Sequence, residues 1–332
     1  MASVMSDGFQ ETVVSPLNAI ISDQIAKLKE RGVGVKVLKE DDQVVNQSID
    51  DTVKFVYGHA EAFVGNQSVR TLLRSSFRNR KDFRPAYTKL NLLGSFMPKT
   101  PILALTATAT ACYQKEIKRS LGMQNVINVE ANLNRENIFY RVLPRGNRGD
   151  EKLIDVIKPY ALELKEKAIS TPLTIFYSNL ETCDECYSYF EQELGEQQFY
   201  PPGSPAKFSN HLFAQYHAQY PEEYRTSLVK SLISDPSVAR VLFVTVAFGV
   251  GIDVPTVERV IHIGIPNTME DFFQETGGAG RNGNSAMSVL YYNSYDINKG
   301  KKALQPVIRK YATTQSCRRE FQALDSNMLF VF

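Results

Sequence analysis

Short apolar runs alternate along the chain with longer stretches of helical spacing. Residues 12–14 form an apolar run that stops at Ser15-Pro16. Residues 17–31 then set Leu17, Ile20, Ile21, Ile25 and Leu28 on one helical face, and Gly32 ends the helix. Residues 102–106 predict a buried strand, 114–121 a helix and 138–143 another strand. The segment 144–152, PRGNRGDEK, is dense in Pro, Gly and charge and predicts a domain boundary. Beyond it the rhythm restarts. Strands are predicted at 173–177, 241–246, 257–263 and 289–292, and helices near 181–193, 221–233 and 268–275, with a surface loop at 195–210. The run 241–246 is apolar on both faces, as suits a parallel strand covered on both sides. This alternation predicts α/β domains with parallel sheets.

Composition adds bounds rather than function. With 332 residues, 43% hydrophobic and 22% charged, the chain is globular and long enough for two domains. A net charge of +2 does not by itself argue for nucleic acid, so that case rests on local patches. No apolar run approaches the roughly 20 residues of a membrane span, and MASVMSDGFQ does not read as a signal peptide. The four cysteines, Cys112, Cys183, Cys186 and Cys317, read as reduced and intracellular, in nucleus or cytoplasm. Cys183 and Cys186 form a C-x-x-C with no second pair nearby, which does not predict zinc.

The chemistry lies in five segments: VVSPLNAIISDQIAKLKERG at 13–32, DFRPAY at 82–87, ALTATAT at 104–110, VTVAFGVGID at 244–253 and QETGGAGRNG at 274–283. Gln274 and Arg281 flank a glycine-rich turn at a helix end, where a guanidinium can meet a phosphate. Gly249, Gly251 and Asp253 follow the 241–246 strand, and ligands sit outside the carboxyl ends of parallel strands, which makes Thr245 and Asp253 candidate contacts to DNA backbone or nucleotide. Asp253 also suits a helix or turn cap. Phe83, Arg84 and Tyr87 mix rings that stack on bases with a cation that meets phosphate. Arg70, Arg74, Arg78, Arg80 and Lys81 precede them as a nucleic-acid patch or a solvated basic face.

From about residue 12 to residue 320 these segments resemble, in order and at compatible distances, motif Ia, the aromatic-rich loop, and motifs III, V and VI of the RecQ family of superfamily 2 helicases. AFGVGID followed by QETGGAGRNG is the specific part. The resemblance implies ATP-dependent 3′–5′ DNA unwinding, in a setting of nuclear DNA repair and recombination. The implied fold is two RecA-like domains of P-loop-NTPase type, the first (1–146) incomplete and the second (147–300) whole, with 301–332 opening a truncated zinc-binding region. It assigns Arg281 and Gln274 to catalysis, with Arg281 as an arginine finger, and Asp253, Gly251 and Arg281 to nucleotide. Ser15, Pro16, Phe83, Arg84, Tyr87 and Thr245 go to nucleic acid, and Thr106 and Thr108 to coupling nucleotide state to the domain interface. ATP, Mg²⁺ and single-stranded or partly duplex DNA are the implied ligands.

The pattern is broken in four places. No G-x-x-x-x-G-K-[ST] occurs, so the phosphate-cradling loop is missing. Where the family has DEAH, this chain has LLRSSFRNRK, although 55–73 still resembles the segment before that tetrad. This reads as a short deletion that also removed a core strand. Gly278 stands where the family has the first of two arginines, and the aromatic-rich loop lacks its Trp. Cys317 resembles a first zinc ligand, but no Cys follows it before Phe332, so no zinc is expected. The expectation is a chain that does not hydrolyse ATP alone. The alternative reading is a non-catalytic nucleic-acid-binding helicase remnant.

Overall fold

The computed structural model describes residues 11–15, 18–38, 52–60, 62, 90, 101–105, 111–129, 135–146, 150–233, 237–248, 252, 254–298 and 300–324. Two compact units result, one ending at Glu130 and one running from Ala131 to Phe330.

In the first unit, β1 (Glu11–Val14) leads into α1 (Asn18–Glu30), followed by β2 (Gly34–Leu38) and β3 (Val53–Gly58). The three strands form a parallel sheet of order β1-β3-β2. Of the helical face read from the sequence, Ile21, Ile25 and Leu28 lie in a cluster with Phe55 and Tyr57. Gly32 has φ of +72°, the left-handed conformation that ends α1 at low cost. A second helix, α2 (Ala111–Ser120), matches the helix expected at 114–121. The strand expected at 102–106 does not form over its described residues. Residues 101–105 take no regular structure, and Leu103 is 74% exposed. An apolar run becomes a strand only where another strand can accept its hydrogen bonds, and no described strand of this unit pairs with it.

The second unit begins with β4 (Ile138–Pro144), α3 (Asp150–Lys167), β5 (Thr174–Tyr177), α4 (Leu180–Leu194), β6 (Phe213–Tyr216) and α5 (Glu222–Ile233). It continues with β7 (Val241–Val244), β8 (Arg259–Ile263), α6 (Met269–Thr276), β9 (Ala286–Tyr292), α7 (Pro306–Thr313) and α8 (Arg318–Leu324). All six strands are parallel, in the order β4-β9-β8-β5-β7-β6. Alternation along the strands builds a core on each face. Ile175, Leu242 and Val244 point to one side, with Leu228 and Leu232 of α5. Phe176, Val241 and Phe243 point to the other, against Ile157 and Leu164 of α3 and Phe190 of α4. Each such fully buried side chain contributes roughly 1.5–3 kcal/mol. All four residues of β7 are buried, as its two-sided apolar pattern requires. The sheet takes in β4, so the division between the units falls ahead of the segment 144–152. Helices α7 and α8 continue the same unit: Ile308, Tyr311 and Phe321 pack with Met269 and Phe272.

Candidate nucleotide and nucleic-acid site

The turn after α6 is built before its arginine is placed. Thr268 caps α6 by accepting from the Asp271 N–H at 2.9 Å. Two buried polar contacts then fix the helix to the sheet. Glu275 Oε2 lies 2.9 Å from His262 Nε2 of β8, with both side chains almost wholly buried. Thr276 Oγ1 lies 3.1 Å from Ser288 Oγ of β9. The His262 ring stacks on Tyr177 at 5.4 Å and 15°. Burial raises the Tyr177 phenol, the neighbouring Glu275 adds to this, and Arg281 opposes it.

Beyond the helix, the Gly280 N–H donates to the Val257 carbonyl at 2.8 Å. Gly280 has φ of +58°, and a Cβ there would stand 2.6 Å from Asn137 Nδ2 and 2.8 Å from the Asn284 carbonyl. Only glycine meets both demands. Arg281 emerges from this turn exposed, its Nε 3.3 Å from the Gly277 carbonyl and its Nη1 3.5 Å from the Ile252 carbonyl.

The second contact joins the two expected motifs. Arg281 and the exposed Gln274 line one cleft with Tyr177, Phe248, Ile252 and Glu275. Tyr177 is the last residue of β5 and Phe248 follows β7, so part of this lining lies past the carboxyl ends of the strands, where a parallel sheet takes its ligands. Thr245, just past β7, is half-buried; its N–H donates to the Tyr216 carbonyl and its carbonyl accepts from the Phe248 N–H. In the first unit, Ser15 is buried at the end of β1. Its N–H donates to the Gly58 carbonyl at 3.1 Å, and its carbonyl lies 2.7 Å from His59 Nδ1. A phosphate contact at Ser15 therefore has to use a group other than that N–H. Pro16, Phe83, Arg84, Tyr87, Thr106, Thr108, Gly251 and Asp253 lie outside the described residues.

An anion suits this donor set, since Arg281 and Gln274 can both donate to phosphate oxygens. Among the described residues no group of three His, Cys, Asp or Glu gathers as a metal would need. Cys183 and Cys186 are both buried in the α4 core, with Cys183 Sγ 3.4 Å from the Val244 carbonyl. Burial pushes the Cys183 thiol up to about 12 and raises Cys186 as well. Sequence reasoning missed His262, Glu275, Arg135, Asn137 and Arg319. A His between apolar residues in the run 259–263 was the one available sign.

Comparison with known proteins first defines a class. Residues 158–283 match the helicase conserved C-terminal domain. Solved helicases share the fold. A Mycobacterium smegmatis helicase Lhr bound to ssDNA and AMP-PNP aligns with 96% of this chain and 43% of its own, at TM-score 0.60 and 18% identity. The DUF1998 helicase MrfA bound to DNA aligns at TM-score 0.61 and 12% identity, covering 97% and 43%. The architecture is thus α/β with parallel sheets of RecA-like helicase type.

The particular branch comes from sequence, and the chain is a RecQ-like member of superfamily 2. It is 29% identical to a putative ATP-dependent DNA helicase Q1 of Caenorhabditis elegans over 92% of its length and 51% of the relative. It is 30% identical to the RecQ-like DNA helicase blm-1 of C. elegans over 88% of its length and 30% of the relative. The chain spans about half the length of the helicase Q1 relatives it matches. Among the described residues no helix is long and apolar enough to cross a membrane.

Proposed function

We propose that this chain binds single-stranded DNA through its backbone, as part of a RecQ-type motor, and does not turn over ATP by itself. One observation carries the reading. Arg281 and Gln274 line the cleft that also takes in Phe248 and Ile252, while the chain holds no G-x-x-x-x-G-K-[ST] and no DEAH. A single guanidinium leaves most of a triphosphate's charge unanswered, because loop amides, a lysine and Mg²⁺ normally share that task. The domain roles follow: an incomplete first domain that contributes phosphate contacts, and a second that contributes Arg281. Within a longer protein, the 3′–5′ unwinding of DNA is the activity these segments would serve.

Two measurements test this. Fluorescence anisotropy with a labelled single strand should give a Kd on the order of 10⁻⁴–10⁻⁶ M that weakens steeply with salt. Replacing Arg80, Lys81 and Arg84 by Ala should flatten the salt slope. Phosphate release in the presence of the same strand should stay at background. Undetectable binding at low salt would remove the nucleic-acid role. Turnover that Arg281→Ala abolishes would instead show a working ATPase.

A further inference from the structure

Arg135 stands just ahead of β4, far from α6 in sequence, yet its guanidinium is spent on the turn that carries Arg281. Its Nη2 donates to the carbonyls of Ala279 at 2.9 Å and Gly280 at 2.8 Å, and its Nη1 lies 3.5 Å from that of Gly277. Its Nε meets Asn137 Oδ1 at 3.3 Å, and Asn137 Nδ2 donates in turn to the carbonyls of Gly280 at 2.9 Å and Asn284 at 2.8 Å. A turn of glycines has no side chains with which to hold its own shape, so these bonds from outside define it. The planar fork of an arginine reaches several carbonyls at fixed angles, which a lysine's point charge does not.

A second arginine holds the first. Arg319 of α8 donates from Nη1 to the Arg135 carbonyl at 3.1 Å, and from Nη2 to the carbonyls of Glu136 at 3.1 Å and Ile138 at 2.6 Å. Its guanidinium carbon also lies 5.5 Å from the centre of the Tyr140 ring. The hydrogen bonds therefore run in series from α8, through the backbone of 135–138, to the turn at 277–280.

We propose that Arg135 is the positioning residue for the turn that presents Arg281, and that Arg319 ties this positioning to the C-terminal helix α8. The functional consequence rests on the reading of Arg281 as a phosphate contact; the positioning itself does not. The test uses the full chain and two readouts. The first is amide hydrogen exchange of the segment 277–285, where the N–H groups of Ala279, Gly280 and Gly283 are bonded. The second is binding of a fluorescent ATP analogue.

Arg135→Ala and Arg319→Ala should each speed exchange in 277–285 by at least about tenfold, as expected for losing bonds to a charged donor. Exchange in β5 and α4 should stay unchanged. In Arg135→Ala, added guanidinium ion should restore protection. The double variant should exchange no faster than Arg135→Ala alone, because the two residues act in series. If Arg135→Ala does not fold, Arg135→Lys decides the matter, and it should exchange several-fold faster than the wild type. Unchanged exchange in whichever Arg135 variant folds, or additive effects of the two arginines, would overturn the proposal. If exchange responds as stated but Arg281→Ala leaves analogue binding unchanged, positioning stands and the phosphate reading of Arg281 fails.

Discussion

Replacing Gly280 by Ala tests the turn with one methyl group. At φ of +58° a non-glycine residue costs roughly 1–2 kcal/mol. The added Cβ would also fall 2.6 Å from Asn137 Nδ2, too close for that amide to keep its bonds to the carbonyls of Gly280 and Asn284. Losing or stretching the two removes about 0.5–1 kcal/mol each. The sum is about 2–4 kcal/mol. For a unit of this size, 1 kcal/mol lowers Tm by roughly 2–4 °C, so the transition should fall by about 4–16 °C. Gly283 is the control: its φ is +86° but nothing lies within 4 Å of its Cβ position, so Ala there carries only the backbone cost. Gly278 is the blank, with no left-handed φ and its nearest contact at 3.3 Å to the Glu275 carbonyl. Thermal melting of the three variants should rank Gly280→Ala well below Gly283→Ala, and Gly278→Ala near the wild type. Equal melting of the Gly280 and Gly283 variants would refute the role given to Asn137.

Other perturbations reach other parts of the second unit. Hydrogen bonds from Arg259, and next from Lys167, hold the Glu163 carboxyl down at about 2. Its stabilisation is therefore complete above the ordinary carboxylate range and lost as pH falls toward 2. Comparing Glu163→Gln with the wild type in melting curves between about pH 6 and pH 3 should show a gap on the order of 1 kcal/mol, reduced by solvent screening, that narrows with acid. A gap that stays constant would put the effect elsewhere. Thiol labelling mapped by mass spectrometry should find the exposed Cys317 early and Cys183 and Cys186 only on unfolding, because thiolate is the reactive form. Early labelling of either buried thiol would contradict its place in the core. A fragment 131–324 should melt cooperatively, and 147–324, which lacks β4, at a clearly lower temperature; equal melting would mean β4 adds nothing to the sheet.

Much of the second unit was legible because its signals are local. The strand read at 241–246 forms over Val241–Val244, with apolar side chains on both faces. Residues 268–275 carry a Thr cap followed by helical spacing. What escaped depends on distant partners. Strand β6 is only FAQY, and its buried Gln215 looks wrong for a core strand until Asp184 accepts from its amide at 2.9 Å and Tyr220 donates to its carbonyl at 3.1 Å. Helix α3 was obscured by Pro159 in its interior and by the Pro- and Gly-rich stretch before it. The run at 102–105 has the composition of a strand and no described neighbour to pair with, a fact no window of sequence contains. At the site, QETGGAGRNG marked Gln274 and Arg281. Arg135, Asn137 and Arg319 act on carbonyl oxygens far along the chain, and hydrogen bonds of that kind leave no periodicity.

The pairing of β4 with β9 has a consequence for how this chain is made. Ile138 leaves the ribosome long before Ala286, its partner in register. At about 5–20 residues per second, β4 waits roughly 7–30 s for the strand that will receive it. Its sequence tolerates the wait: Arg141 faces outward and Pro144 closes the strand, both of which discourage a stray strand from adding to it. The rest of the sheet can assemble as it emerges, and the arrival of β9 then fastens the first strand of the unit to its last.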